Sequence, residues 1–298
     1  MYEWDIYIID CRICLFIISP RKDNDMDKLK NKRDNYFVEG LQGAGKTTFL
    51  WHLSDILSNY RFFYEGDFSP VDLMWCAYVT KQQYHSLLIN YPSLNKKIKE
   101  NTVMEGKYRI ICYTKILTDI PDFHRNMEKF EIYNGNRDRE SFENIVFERF
   151  QRWNGQGQVF ECAIFQNIIE NQMLNFMMTD DEIIDFYKKL KKILDDKPYK
   201  IIYLDIEDIA DGIDIIRKER TDNMGNELWF NLMVKYMEES SYGKEYALKG
   251  LEGLLTHLEK RKALEHQIID KVFKENTIIL KAKDYTHEGI AELFQKGL

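Results

Sequence analysis

The chain has 298 residues, of which 44% are apolar, and its formal net charge is -7 at pH 7. This length and apolar content are enough to bury a substantial core, so the composition excludes an intrinsically disordered chain. The negative charge argues against a nucleic-acid partner bound through general attraction to phosphates, and it favours a small-molecule ligand.

Residues 1–30 are interpreted as an N-terminal extension without a role in the function. The apolar run over residues 6–18 is short and is interrupted by Asp10 and Arg12, so it does not predict a membrane span. It also lacks the basic segment and the small-residue cleavage site of a signal peptide. A polar stretch that begins at Met26 leads into the first predicted strand, which makes Met26 an alternative start of translation.

The five cysteines indicate a reducing compartment rather than a disulfide framework or a metal site. Cys76, Cys112 and Cys162 lie inside apolar runs, where a free thiol behaves as a small apolar side chain. Cys11 and Cys14 form a single C-x-x-C pattern without the second pair or the histidines that a zinc site requires. Together with the absence of a predicted membrane span, this pattern predicts a cytoplasmic protein.

A strand, a glycine-rich loop and a helix follow one another at the start of the predicted domain. Residues 36–39 are typical of a short buried strand, and the apolar residues between 49 and 57 have helical spacing. Between them stands Gly40-Leu41-Gln42-Gly43-Ala44-Gly45-Lys46-Thr47-Thr48, which matches the phosphate-binding pattern G-x-x-x-x-G-K-T. Glycines let backbone N–H groups approach phosphate oxygens, and the dipole of the following helix favours their negative charge.

The residue types in this loop predict ATP and Mg²⁺ as ligands. Lys46 can reach the β- and γ-phosphates, and the Thr47 hydroxyl can coordinate the metal ion. The alternative is a glycine-rich turn that binds nothing, although the strand and helix around it favour the phosphate-binding loop. The predicted nucleotide-binding residues are Gly40, Gly43, Ala44, Gly45, Lys46, Thr47 and Thr48.

The second predicted strand, residues 60–64, is followed by two acids, Glu65 and Asp67. In open α/β sheets the ligand lies outside the carboxyl ends of the strands, so both carboxylates are candidates for substrate binding. A polar turn that only satisfies its own backbone groups is an equally good interpretation.

Residues 72–154 are predicted to form a helical insertion beside the sheet. Residues 109–113 give a weak strand pattern, and the rest of the segment has none. A helix over residues 141–153 carries an aromatic stripe, which is more typical of a core than of a substrate pocket. The insertion is longer than an ordinary crossover connection, which indicates a role in substrate specificity.

Three further strands complete the predicted sheet. Residues 158–165 form an apolar run interrupted by Glu161, whose carboxylate would need a cation or a hydrogen-bond donor if it is buried. Residues 200–206 and 277–280 are the fourth and fifth strands, and helices are predicted between and after them. This alternation predicts a three-layer α/β fold, with a mostly parallel five-stranded sheet and helices on both faces, in a single domain over residues 31–298.

The order of these parts resembles the P-loop kinases of the nucleoside and nucleotide kinase group, in particular thymidylate kinases and deoxynucleoside kinases. The loop over residues 40–48 is the most specific match. The resemblance implies a P-loop NTPase fold and a kinase that transfers a phosphoryl group from ATP to a small molecule. It also implies that Glu65 and Asp67 lie at the acceptor site, and that Glu161 lies near the metal ion and the acceptor hydroxyl. The arginine that often follows this last carboxylate in the family is absent here.

The resemblance also implies a lid over residues 213–228 that closes over the phosphates with Arg217 and Arg220. These two arginines are three residues apart on a predicted helix, so both can point to one side. Lys46, Glu161, Arg217 and Arg220 are therefore the predicted catalytic residues. The alternative for the two arginines is a solvated face on which they pair with neighbouring acids.

Two other functions stay open at this point. A P-loop ATPase or GTPase acting as a regulatory switch would use Asp205, at the end of the fourth strand, to bind Mg²⁺ instead of Glu161. An antibiotic or sugar phosphotransferase would keep the same fold and change the acceptor. The sequence also leaves a homodimer open, and it predicts neither a nucleic-acid nor a membrane partner.

Overall fold

The structure is a computed structural model that describes residues 33–222 and 224–295. The predicted N-terminal extension, with Cys11, Cys14 and Met26, lies outside the described residues. The strands within these ranges are β1 Asn35–Gly40, β2 Arg61–Phe63, β3 Ala77–Thr80, β4 Thr102–Glu105, β5 Tyr108–Ile111, β6 Gln158–Glu161, β7 Tyr199–Asp205 and β8 Thr277–Lys281.

A five-stranded sheet in the order β2-β6-β1-β7-β8 forms the centre of the fold. Every neighbouring pair in it is parallel, with Val38 opposite Glu161 on one side of β1 and Gly40 opposite Leu204 on the other. The predicted parallel five-stranded sheet is therefore confirmed. Because all five strands run in one direction, their carboxyl ends lie along the same edge.

The helices are α1 Lys46–Ile56, α2 Lys81–Asn90, α3 Asn95–Glu100, α4 Phe123–Glu128, α5 Arg139–Arg152, α6 Gln166–Glu170, α7 Asp180–Leu194, α8 Ile209–Glu219, α9 Leu228–Glu239, α10 Ser241–Glu245, α11 Gly250–Ile268 and α12 His287–Gln295. Short π-helical turns follow α6 at Asn171–Asn175 and α11 at Ile269–Phe273. No helix within the described ranges is both long enough and apolar enough to cross a bilayer.

Two apolar clusters on the main sheet show why helices cover both of its faces. On one face, Phe160 stacks against Phe37 and Phe63 with ring centroids 5.0 Å apart in each case. Phe150 of α5 and Trp153, the residue that follows this helix, pack against the stack. The other cluster joins β1 to α1 and α12. The aromatic stripe of α5 is thus core, as the sequence predicted.

The insertion is not purely helical, so the prediction for residues 72–154 is wrong in this respect. It contains a second, antiparallel sheet in the order β3-β5-β4. Strands β4 and β5 form a hairpin across Gly106, whose φ of +54° suits a tight two-residue turn. These strands have four residues each and are partly exposed, with Met104 at 75% exposure, so they lack the continuous apolar run that reveals a buried strand.

Candidate functional site

The glycine-rich loop lies where the strand order of the main sheet reverses. The chain leaves β1 toward β2 at one edge of the sheet, whereas it leaves β7 toward β8 at the other edge. The connections that follow the neighbouring strands β1 and β7 therefore run toward opposite edges of the sheet. Open α/β sheets bind ligands in the crevice at such a point.

Backbone geometry explains the glycines of this loop. The φ angles of Gly40, Gly43 and Gly45 are +140°, +84° and +80°, a region that other residues rarely adopt. A Cβ atom on Gly40 would lie 2.5 Å from the carbonyl oxygen of Leu204, so β7 leaves no room for a side chain there. On Gly43 it would lie 2.8 Å from the carbonyl oxygen of Gly212 in α8.

The first turn of α1, directly after the glycine-rich loop, has backbone N–H groups that no side chain caps. Helix α1 begins at Lys46, and no side chain caps its N-terminus. Such a helix start attracts anions, because its first N–H groups have no partner within the helix. Of the other predicted loop residues, Ala44 is buried in the core beneath the loop and Thr48 is exposed.

The Lys46 side chain folds back over the loop. Its Nζ atom donates hydrogen bonds to the carbonyl oxygens of Gly40, at 2.9 Å, and Leu41, at 2.8 Å. An ammonium group has three N–H donors, so these contacts use two of them. Lys46 is only 8% exposed, so its positive charge is buried against the loop.

Glu161 connects three segments of the site. Its Oε1 atom accepts a 2.6 Å hydrogen bond from the Thr47 hydroxyl, and its Oε2 atom accepts a 3.2 Å hydrogen bond from the backbone N–H of Glu65. These contacts supply the donors that a buried carboxylate in β6 requires. The next residue, Cys162, has a φ of +57°, and strained backbone of this kind concentrates at functional sites.

Glu65 lies in the same cluster. Its pKa is raised to about 7, first because neighbouring atoms desolvate the carboxylate and second because the Glu161 carboxylate is near, while Lys46 and Arg220 oppose the shift. Glu65 is nevertheless an exposed residue, so solvent screening reduces the shift relative to a buried group. Even a reduced shift brings this carboxylate closer to the range in which a general base works at neutral pH.

Lys115 of the insertion contacts residues 65–67, the acidic segment that follows β2. The Lys115 ammonium donates to Oδ1 of Asp67, and Oδ2 of Asp67 accepts a 3.2 Å hydrogen bond from the backbone N–H of Tyr64. Trp75, which has a φ of +59° and is 37% exposed, stands beside Gly66 in the same segment. Sequence reasoning missed Lys115 and Trp75, because no local pattern marks a single residue that a distant loop brings to a site.

The two predicted lid arginines are engaged with α9. Arg217 donates to Oε2 of Glu227 at 3.0 Å and to Oδ1 of Asp214 at 3.1 Å, and its guanidinium lies 4.6 Å from the ring centroid of Phe230. Arg220 lies 5.0 Å from the ring centroid of Trp229. The structure thus pairs Arg217 with local acids, whereas the charge of Arg220 opposes the rise in the pKa of Glu65. A role for either arginine in closing the site stays a prediction.

Asp205, the alternative acid for the metal ion, already has two partners on α11. Its Oδ1 atom lies 2.9 Å from Nζ of Lys262 and 3.1 Å from Nε2 of His266. Glu161, by contrast, hydrogen-bonds directly to the loop threonine Thr47. Among the two acids, Glu161 is therefore the one joined to the loop.

A buried charged cluster supports the loop from behind and was not expected from the sequence. Glu170 accepts hydrogen bonds from Arg261 and, at 3.4 Å, from the loop residue Gln42, and it lies 2.7 Å from Nε2 of His257. Arg261 also pairs with Glu265 at 3.0 Å, and both side chains are fully buried. Burial alone would raise the pKa of Glu170, but His257 and Arg261 outweigh it and hold this pKa at about 2.

Within the described ranges, no group of three or more His, Cys, Asp and Glu side chains is arranged to hold a metal ion. A nucleotide-bound Mg²⁺ needs no such group, since it commonly takes one or two protein oxygens and completes its shell with phosphates and water.

A scan against protein-family models gave no match to this sequence, and a search of curated proteins gave none either.

Proposed function

We propose that the chain is an ATP- and Mg²⁺-dependent kinase of the P-loop type, which phosphorylates a small molecule of the nucleoside or nucleotide class. The observation that carries this proposal is the 2.6 Å hydrogen bond between Thr47 and Glu161. It joins the residue suited to Mg²⁺ to a carboxylate at the end of the neighbouring strand, beside the acidic segment after β2. A kinase needs this arrangement, because metal, phosphates and acceptor must meet at one point.

The residues present fit a bound triphosphate. Three glycines with positive φ keep side chains out of the loop, and the uncapped start of α1 offers N–H donors. Residues 43–48 would hold the phosphates, with Lys46 as the cation, while Thr47 and Glu161 would hold Mg²⁺. When bound, ATP supplies the phosphoryl group and Mg²⁺ neutralises part of its negative charge.

The acidic segment would bind the acceptor. Glu65, whose pKa is raised, would accept a proton or a hydrogen bond from the acceptor hydroxyl. Asp67 would orient the same molecule, with Lys115 of the insertion fixing its carboxylate. Glu161 would serve the metal ion, the acceptor or both. The contact between Lys115 and Asp67 agrees with a role of the insertion in selecting the substrate.

Arg220 is the better placed of the two lid residues to stabilise the transferring group. Its charge opposes the rise in the pKa of Glu65, whereas Arg217 would have to leave Glu227 and Asp214 to reach a phosphate. A positive charge accelerates the reaction most when it stabilises negative charge that develops in the transition state.

The pairing of Asp205 with Lys262 and His266 supports a kinase over a nucleotide-driven switch. In a switch this carboxylate would have to serve the metal ion, and it would first have to lose both partners. A cytoplasmic location, where ATP is available, belongs to the same proposal.

An acceptor screen tests the proposal. ATP consumption is measured with Mg²⁺ against nucleosides, nucleotides, sugars and aminoglycosides, with Lys46→Ala as the inactive control. One acceptor class should raise ATP loss above the basal rate in the wild type and not in the variant. If ATP binds but no compound in any class raises its consumption, the kinase proposal fails.

A further inference from the structure

Two buried thiols face each other where the insertion meets the acidic segment. Sγ of Cys76 lies 3.6 Å from Sγ of Cys112, and both cysteines are free. The β3-β5 register pairs Ala77 with Ile111 at its end, so the next residues along, Cys76 and Cys112, stand opposite each other. Directly opposed residues of antiparallel strands have Cα atoms about 4.5 to 5.5 Å apart, which lies within the range that a disulfide spans.

We propose that Cys76 and Cys112 form a reversible redox site, which a hydroperoxide oxidises to a disulfide. Since a disulfide bond is about 2.05 Å long, the two sulfurs need to approach by only about 1.5 Å, which a change of side-chain rotamer can provide. The bond would close a loop between two residues 36 positions apart.

The local chemistry assigns a role to each thiol. The Cys76 S–H donates to the Cys112 sulfur, and this hydrogen bond, assisted by the Lys115 ammonium, lowers the pKa of Cys112. The Cys112 thiolate is therefore the nucleophile, because the thiolate is the reactive form of cysteine. Cys112 is 5% exposed and Cys76 is fully buried, so an oxidant as small as hydrogen peroxide reaches Cys112 first.

The reaction balances with one hydroperoxide. The Cys112 thiolate attacks a peroxide oxygen, the O–O bond breaks, and hydroxide leaves and takes up a proton, which gives a sulfenic acid and water. The Cys76 sulfur then attacks the sulfenic sulfur, and the S–O bond breaks as the thiol proton and the hydroxyl group leave as a second water. Two thiols lose two electrons and two protons, and hydrogen peroxide is reduced to two waters.

Both cysteines adjoin residues that reach the acidic segment. Trp75, immediately before Cys76, stands beside Gly66, and Lys115, whose backbone N–H donates to the Cys112 carbonyl at 3.2 Å, holds Asp67. A disulfide would thus tie together the two chain segments that support residues 65–67. The site exists independently of the proposed kinase activity.

Peptide mapping by mass spectrometry tests the site in the full, native chain treated with hydrogen peroxide. We expect a crosslinked pair of peptides that contain Cys76 and Cys112, lighter by two hydrogens and separated again by a dithiol reductant. Met104 and Met224, which are 75% and 82% exposed, report through their sulfoxides that the dose was effective. In Cys76→Ser, which keeps a hydrogen-bond donor beside Cys112 but cannot form the disulfide, Cys112 should instead accumulate as a sulfenic acid that a dimedone probe traps.

If both methionines are oxidised while Cys76 and Cys112 remain thiols, or become separate sulfinic acids, the redox site is refuted.

Hydrogen exchange then tests the link to the acidic segment. Exchange over residues 65–67 and 113–115 should slow at least about threefold in the disulfide form, while residues 41–48 stay unchanged. Equal exchange in both forms over those two segments refutes the link. Neither readout depends on phosphoryl transfer, so failure of the kinase proposal would be seen separately.

Discussion

Replacing Glu161 by Gln should remove catalysis while leaving the fold in place. The amide oxygen of Gln can still accept the hydrogen bond from Thr47, but the amide NH₂ would face the backbone N–H of Glu65, so two donors would meet. The lost hydrogen bond costs about 1 kcal/mol of stability, which a domain of this size tolerates. The lost negative charge matters more, because in the proposed kinase Mg²⁺ and the acceptor hydroxyl would both depend on it.

We expect the turnover number of Glu161→Gln to fall at least about 100-fold, which corresponds to about 2.7 kcal/mol of transition-state stabilisation. Steady-state turnover is measured with the acceptor found by the screen, and ATP affinity is measured separately by calorimetry. Asp205→Asn is the matched comparison, since it makes the same chemical change in the other candidate acid. A larger loss of turnover in Asp205→Asn than in Glu161→Gln would refute the assignment and favour the switch.

Three further predictions follow from the contacts of the site. Arg220→Ala should lower turnover about tenfold or more with little change in ATP affinity, and Arg217→Ala should have the smaller effect; wild-type turnover in both would exclude the lid function. The pH profile of kcat/KM should rise toward neutral pH as Glu65 loses its proton, since a base is active when deprotonated. Glu65→Gln should remove that rise, and an unchanged profile in this variant would exclude Glu65 as the base. Arg261→Met should lower the free energy of unfolding by about 3 to 5 kcal/mol in denaturant titrations, because Glu170 and Glu265 lose their cationic partner. A loss under about 1 kcal/mol would show that water replaces the guanidinium as their partner.

The parts of the fold that local pattern encodes were predictable. The five parallel strands are apolar runs between helical segments, and the loop over residues 40–48 carries its geometry in its glycines. Glu161 could be singled out because an acid inside an apolar run needs a partner. Its partner, the Thr47 hydroxyl, is 114 positions away and became known only from the structure.

The parts that depend on tertiary contacts were not predictable. Strands β3 to β5 are only four residues long, and β4 and β5 are partly exposed, so their patterns are no stronger than that of a loop. Lys115 joins Asp67 across 48 positions, and Arg261 joins Glu170 across 91. No sequence signal specifies pairs at such separations. The pairing of Arg217 with Asp214, three residues away, agrees with the local alternative that the sequence left open, whereas the contact with Glu227 became known only from the structure.

The most direct test of the central proposal follows the γ-phosphate of ATP itself. The protein is incubated with Mg²⁺, ATP labelled at the γ-phosphate and each acceptor class in turn, and the labelled products are separated by chromatography. Transfer predicts that the label appears on the acceptor, in proportion to the ADP formed, and that Lys46→Ala abolishes it. Label found only in inorganic phosphate, at a rate that no acceptor changes, would contradict the kinase and leave a nucleotide hydrolase.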